Sequence, residues 1–251
     1  SQSITAPGFG VYRQVTDKIG VLAGIYVGFS PSGPGKSGAE SEESINVEYG
    51  IRYSSTDLSA ELIAFESDYD NLLGRCRASD ADCQVGQEFS GGNVEVSGIE
   101  VTGQGQYDLT DAIILTSQFN YTYSESKFKA SFFSQFSQWG LVEKGDELPY
   151  VPKHAGRWQI GLESDQWALD MAVKYQHGMR ETPGMGDIEE GLHTDNITTI
   201  DVSATWFIND DIDVKLLARN LADDSSIVSH RPYGARPNLP RTLLAQIKYR
   251  F

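Results

Sequence analysis

From Leu243 to Phe251 apolar and polar residues alternate to the last position. Leu243, Ala245, Ile247, Tyr249 and Phe251 fall on one side, and Leu244, Gln246, Lys248 and Arg250 on the other. A period of two is the signature of a strand with one face in an apolar medium. A strand of a soluble sandwich can carry the same pattern, so the deciding question is how the pattern recurs. Pairs of long strands joined by alternately short and long connections belong to a membrane barrel.

The pattern does recur that way. Phe9–Val15 and Ile19–Phe29 flank a turn at Thr16-Asp17-Lys18, and a Pro/Gly/Ser-rich acidic loop, Ser30 to Glu43, follows. Ile45, Val47, Tyr49, Ile51 and Tyr53 form the next apolar row, and Ser54–Asp57 turns the chain into Leu58, Ala60, Leu62 and Ala64, where Ile63 and Phe65 blur the alternation. A loop from about Asp70 to Gly92 leads to Ile99–Leu109 and Ile113–Tyr123, joined at Thr110-Asp111. Beyond the loop Ser124–Glu147, Trp158–Leu162 pairs across Ser164-Asp165 with Trp167–Tyr175. After Gly178–Asn196, Ile200–Trp206 pairs across Asn209–Asp211 with Ile212–Ala218, and Leu221–Pro240 leads to the final strand.

The expected fold is therefore all-β: an antiparallel transmembrane β-barrel with about 11 strands, five short turns and five long loops in this chain. The longest nearly apolar stretch, Val21–Phe29, is far short of the roughly 20 residues a membrane helix needs. Hydrophobic residues make up 39% of the chain, low for a buried core of this size but suited to a wall with only one apolar face. The opposite faces carry Glu48, Arg52, Glu100, Arg157, Glu163, Asp170, Lys174, Asp201, Asp213, Lys215 and Arg219, a row that suits a wet or plugged lumen. Single-chain bacterial barrels have even strand counts, so an odd count points to a missed strand or to half of a 22-stranded barrel. With no initiator Met, Ser1 is expected to begin a fragment or a chain whose signal sequence has been removed.

The net charge of −15 excludes nucleic acid as a partner, because such binding needs basic patches. Acidic residues cluster in the loops, where they solvate a cell-facing surface or attract cations, including those bridging lipopolysaccharide. Cys76 and Cys83 are the two cysteines and are expected to form a loop disulfide, consistent with an oxidising compartment. Arg75 and Arg77 flank Cys76, and with Lys36, Arg180, Arg231 and Arg236 they are the loop candidates for binding an anionic ligand. Planar guanidinium groups suit bidentate capture of carboxylates, although charge balance in acidic loops accounts for each residue equally well. The aromatics Phe128 to Trp139 are expected to pack the loop on itself or to sit in an interfacial girdle rather than to stack on ligand.

Several motifs resemble one family, the TonB-dependent outer-membrane receptors, in particular its ferric-citrate-like branch. Pro237-Asn238-Leu239-Pro240-Arg241-Thr242 before the last strand resembles the family's closing Gly-x-Pro-Arg-Thr stretch with its C-terminal aromatic. Arg219-Asn220-Leu221-Ala222-Asp223 resembles its Asn-Leu-Phe-Asp element, with Ala222 where an aromatic is usual. Leu148–His154 resembles the Pro-x-x-Pro-x-His start of a strand, and Gly98-Ile99-Glu100 followed by Tyr107-Asp108-Leu109 a mid-barrel Gly-x-Glu strand. The resemblance implies the C-terminal part of a 22-stranded barrel, without its plug domain, in a receptor for uptake of a ferric chelate. It implies TonB as a partner only through a missing N-terminal region, outer-membrane lipid around the barrel, and Phe251 as the signal read by the barrel-assembly machinery. This segment alone is then not expected to transport, and neither enzymatic activity nor a cofactor is expected.

Two other readings use the same strands. A small outer-membrane hydrolase would need Ser229 or Asp195 beside His230 or His193. A passive porin of 10–12 strands would place acidic and basic residues across its lumen. No Gly-x-Ser-x-Gly, phosphate loop or helical His pair is present.

Overall fold

The structure, a computed structural model, describes residues 5–32, 41–76, 84–134, 136, 139–230 and 234–251. In chain order the strands are β1 (Gly8–Gln14), β2 (Ile19–Ser30), β3 (Glu42–Ser54), β4 (Leu58–Asp70), β5 (Leu73–Arg75) and β6 (Glu88–Ser90). Then come β7 (Val94–Thr110), β8 (Ile113–Phe128), β9 (Phe132–Phe133), β10 (Leu141–Val142), β11 (His154–Glu163) and β12 (Trp167–Gln176). The last are β13 (Ile197–Phe207), β14 (Ile212–Arg219), β15 (Ile227–Ser229), β16 (Arg236–Pro237) and β17 (Thr242–Tyr249). Eleven of them form one antiparallel sheet in the order β1-β2-β3-β4-β7-β8-β11-β12-β13-β14-β17. The other six make three small hairpins, β5–β6, β9–β10 and β15–β16, inside the long loops. Every neighbour in the large sheet is next in sequence apart from those inserted hairpins, as an up-and-down wall requires. In these residues β1 and β17 stand at its two edges, so the sheet is not closed.

The register joins the apolar rows into one continuous face. Ile25 pairs with Val47, Ala23 with Tyr49 and Val21 with Ile51; Tyr49 in turn pairs with Ala64 and Ala64 with Ile99. Across the second half, Trp158 pairs with Val173, Val173 with Ile200, Leu216 with Ala245 and Val214 with Ile247. Although apolar, many of these side chains are exposed, Tyr49 at 62% and Ile247 at 75%, and the others are half-buried, the signature of a lipid-facing wall. Aromatics on this face gather at both ends of the strands. Tyr53, Tyr107, Trp167, Trp206 and Tyr249 lie beside the short turns, and Tyr121, Tyr123, His154 and Tyr175 beside the loops. Trp167 and Tyr175 are eight residue steps apart on β12, a rise of roughly 27 Å along a tilted strand against an apolar band about 25 Å tall.

Ile63 and Phe65, which blur the alternation of β4, lie on the polar face. Their bulk is accommodated by glycines on neighbouring strands: a Cβ on Gly50 would stand 3.0 Å from Ile63 Cδ1, and one on Gly98 would stand 2.8 Å from Phe65 Cζ. The short turns share one device. An early polar side chain of each accepts a backbone N–H two or three residues on, at 2.9–3.2 Å: Thr16 from Ile19, Ser55 from Leu58, Thr110 from Ala112, Ser164 from Trp167 and Asn209 from Ile212.

Strands around the second loop run past the expected ends. β7 begins at Val94 rather than Ile99, and β8 continues to Phe128 rather than stopping at Tyr123. There Val94, Phe128 and Val142 form a small buried core against Tyr69, Leu72, Val96, Phe132, Trp139 and Leu148. Phe89 stacks on Phe136 at 5.3 Å and meets Trp139 edge-on at 6.1 Å. The loop aromatics thus pack on one another; Phe133 is the exception, 77% exposed.

Candidate ligand-binding site

Two surfaces can meet a solute: the polar face of the sheet and the loops that stand over its end. On the polar face, a cavity of about 740 Å³ spans β11 to β17. Arg157, Lys174, Lys215 and Arg219 line it together with Asp170 and Asp201, so a chain of strongly negative charge presents a positive surplus here. Lys174 Nζ donates to Asp201 Oδ2 at 2.9 Å, and Ser203 Oγ donates to Asp170 Oδ2 at 3.2 Å, which leaves Lys215 and Arg219 without a hydrogen-bonded carboxylate among the described residues. On the opposite flank the same face is acidic: Glu48 and Glu100 join the Arg52–Glu61 ion pair.

The loops after β8, β12 and β14 are tied together by buried polar groups. Glu181, 2% exposed, accepts from the Tyr150 hydroxyl at 2.9 Å, the His230 backbone N–H at 2.8 Å and the His230 ring at 2.9 Å. Burial alone would raise this carboxyl; the His230 N–H, the Tyr150 hydroxyl and the His230 ring outweigh it and hold it below the usual carboxylate range. Beside it, Glu147 accepts from Lys153 Nζ at 2.7 Å and Arg180 Nε at 3.0 Å. Here too burial is overcome, by the Lys153 ammonium and the Arg180 guanidinium, and the carboxyl lies below its ordinary range. Tyr150 reaches Glu181 from a left-handed backbone, φ 61°.

Asn220, also left-handed at φ 46°, staples both ends of the last loop. Its Nδ2 donates to the carbonyls of Asp224 at 2.8 Å and Leu239 at 2.9 Å, while its Oδ1 accepts from Asp224 N at 3.0 Å. Arg241 donates its backbone N–H to Asp223 Oδ1 at 2.9 Å, so the two sequence motifs around Asn220 and Arg241 are one contact in space.

The predicted basic residues are dispersed. Arg75 is exposed on β5 opposite Glu88, and Arg236 is exposed on β16 opposite Ser229. Arg180 is 7% exposed, its guanidinium occupied by Glu147 and by the Gly186 carbonyl at 3.0 Å. Lys36, Arg77 and Arg231 lie outside the described residues, as does Cys83; Cys76 is buried and disulfide-bonded. Phe251 is exposed beside Tyr249, ring centres 6.4 Å apart. Among the described residues, the hydrolase candidates make other contacts: His230 joins Glu181, Asp195 accepts from Ile227 N at 2.7 Å, and His193 Nδ1 meets the Thr194 carbonyl at 3.0 Å. Among the described residues no cluster of three or more His, Cys, Asp or Glu is arranged to hold a metal. Sequence reasoning missed Glu147, Tyr150, Glu181 and Asn220, although Tyr150 and Asn220 stand inside motifs it singled out.

The family model for TonB dependent receptor-like β-barrels matches residues 1–221. The chain belongs to that family. It forms part of an outer-membrane β-barrel of a bacterium. It is 26% identical over 239 residues to the iron-regulated outer membrane virulence protein of Vibrio cholerae, covering 88% of this chain and 32% of that protein. Its fold is shared with the ferric-catecholate import receptor Fiu of E. coli K12, at a TM-score of 0.69 and 20% identity over 97% of this chain and 34% of that one. It is shared equally with the ferric citrate transporter FecA, at a TM-score of 0.71 and 16% identity over 98% of this chain and 38% of that one. The chain therefore spans about a third of the length of the relatives it matches.

Proposed function

We propose that this chain is the C-terminal part of the barrel of a TonB-dependent receptor that takes up an anionic ferric chelate, ferric citrate or another siderophore complex. The family match, which covers ten of the eleven strands of the sheet, carries this reading. The unpaired edges β1 and β17 support it, because an open edge has no place in lipid and calls for further strands to complete the wall. The plug and the TonB-contacting segment belong, in this reading, to the parent chain N-terminal to Ser1. Iron enters through the relatives, one iron-regulated and others importing ferric chelates. The positive surplus at Arg157, Lys174, Lys215 and Arg219 favours a negatively charged solute or an acidic surface in the lumen.

In the loops, Arg75, Arg77, Lys36, Arg231 and Arg236 are the groups assigned to capture the chelate. Arg180 takes part indirectly, by ordering the loop that Glu147 holds. The test uses the full-length parent. Removing it should abolish uptake of radioiron supplied as ferric citrate or another anionic chelate; unchanged uptake of all of them rejects the function. Arg75→Ala combined with Arg77→Ala should weaken chelate binding ten-fold or more, about 1.4 kcal/mol, in tryptophan-quenching titrations. Unchanged affinity rejects the loop assignment alone.

A further inference from the structure

At the loop end of the lipid-facing side, β8, β11 and the residue after β12 bring four rings together. Tyr123 pairs with His154 across β8 and β11. His177 N donates to the His154 carbonyl at 2.8 Å, which places the two histidines side by side on adjacent strands. Their ring centres are 5.7 Å apart and nearly perpendicular, at 79°. A metal 2.0–2.1 Å from one nitrogen of each ring would stand roughly 3.2 Å from each ring centre, so this spacing admits one ion at an angle of roughly 125°.

Two further observations separate this pair from ordinary girdle aromatics. Nδ1 of His177 is buried and has no hydrogen-bond partner, a lone donor or acceptor of the kind that a bound ion would satisfy. His154 Nδ1 lies 2.8 Å from the Tyr121 hydroxyl. Metal-bound imidazoles are commonly held in that way: the second nitrogen carries the hydrogen and donates to an oxygen, and the first keeps its lone pair for the ion. We propose that His154 and His177 form a two-imidazole site for a borderline divalent transition metal, copper(II) first, then zinc or nickel, at the outer rim of the barrel wall. Imidazole suits these ions, and copper(II) binds nitrogen ligands most tightly among them. Tyr121 is a positioning residue: its hydroxyl, on Nδ1, holds the ring of His154 in place.

The probe is copper(II) itself, titrated into the full-length receptor in detergent at neutral pH and followed by calorimetry and electron paramagnetic resonance. The expected result is one site whose spectrum shows nitrogen coupling. His154→Ala and His177→Ala should each weaken it at least ten-fold and change that coupling. Tyr121→Phe should weaken it about three-fold while keeping both nitrogens, and His193→Ala should leave it unchanged. Heat-modifiable migration on gels checks that each variant is a folded barrel; His177→Gln replaces His177→Ala if the latter fails to fold. Wild-type affinity and an unaltered spectrum in the folded His177 variant would overturn the proposal, as would the lack of any nitrogen-coupled site in the wild type.

Discussion

The loops over the two halves of the sheet solve one problem in opposite ways. Over β4, β7 and β8 the long connections are organised by apolar packing, with Phe128, Val94 and Val142 at its centre and Phe89, Phe136 and Trp139 stacked around them. Over β11 to β17 they are organised by buried charge: Glu181 with His230 and Tyr150, Glu147 with Arg180 and Lys153, and Asn220 between the loop's two ends. An apolar cluster degrades in proportion to the volume removed and is indifferent to pH. A satisfied polar network fails when one member is lost, because the others are then left buried and unpaired. The first half should be robust and graded, the second rigid and switchable.

The largest effect tests the apolar half. Phe128→Ala should reduce the stability of that loop pair by about 3–5 kcal/mol, the range for emptying a buried aromatic site. Hydrogen exchange should then accelerate at Lys129, whose backbone N–H donates to the Asn93 carbonyl, while Leu192 and Thr194 keep their protection. Loss of protection in both halves would mean that the loops form one cooperative unit and would end the comparison.

Glu181→Ala comes next. It removes the acceptor of three hydrogen bonds, and a bond to a charged group is worth about 1.5–3 kcal/mol. Exchange at the His230 amide should rise by one to two orders of magnitude, with the Phe128 cluster unaffected. Unchanged protection at His230 would show that the loop is held elsewhere.

Acid should separate the halves without mutation. Glu147 and Glu181 have carboxyls held below their ordinary range, so the stability they contribute is complete above the unfolded value and is lost as pH falls through the lower folded values. Limited proteolysis below about pH 4 with an acid-active protease should therefore cut the loops after β12 and β14, and the Glu147–Lys153 end of the loop after β8, before the loop after β4. The reverse order would contradict the assignment of the network.

The smallest effect concerns the cysteine loop. If Cys76 and Cys83 are bonded to each other, closing that ring restrains the loop by about 2.5 kcal/mol in the chain-entropy model. Reduction should change the cleavage of that loop but shift neither half's response to the variants above. Mass spectrometry of unreduced peptides checks the pairing, and two freely alkylated thiols would exclude it.

The strand order was legible because lipid imposes it: each membrane-crossing strand must present an apolar residue at every second position. Where β7 and β8 rise above the membrane that demand lapses. Glu95, Ser97, Glu125 and Lys127 stand where the lipid-facing row would continue, and the apolar residues Val94, Val96 and Phe128 occupy the other face, so the row does not run on from Ile99 and Tyr123. Phe65 and Ile63 were ambiguous because the glycines that accommodate them stand on other strands. The polar network was illegible for a related reason. His230 and Glu181 are 49 residues apart, and no local period connects a carboxylate in one loop with an imidazole in another.

The self-capped turns bear on how such a wall is built. Thr16, Ser55, Thr110, Ser164 and Asn209 each fix their turn with an oxygen from inside the turn, borrowing nothing from a neighbouring strand. Every hairpin carries its own register mark to the membrane, and information from outside is needed only at the seams between hairpins. Growth of the wall is then counted in pairs. A slipped register would be inherited by whole hairpins, and the place to look for assembly errors is the long-loop side, where successive pairs meet.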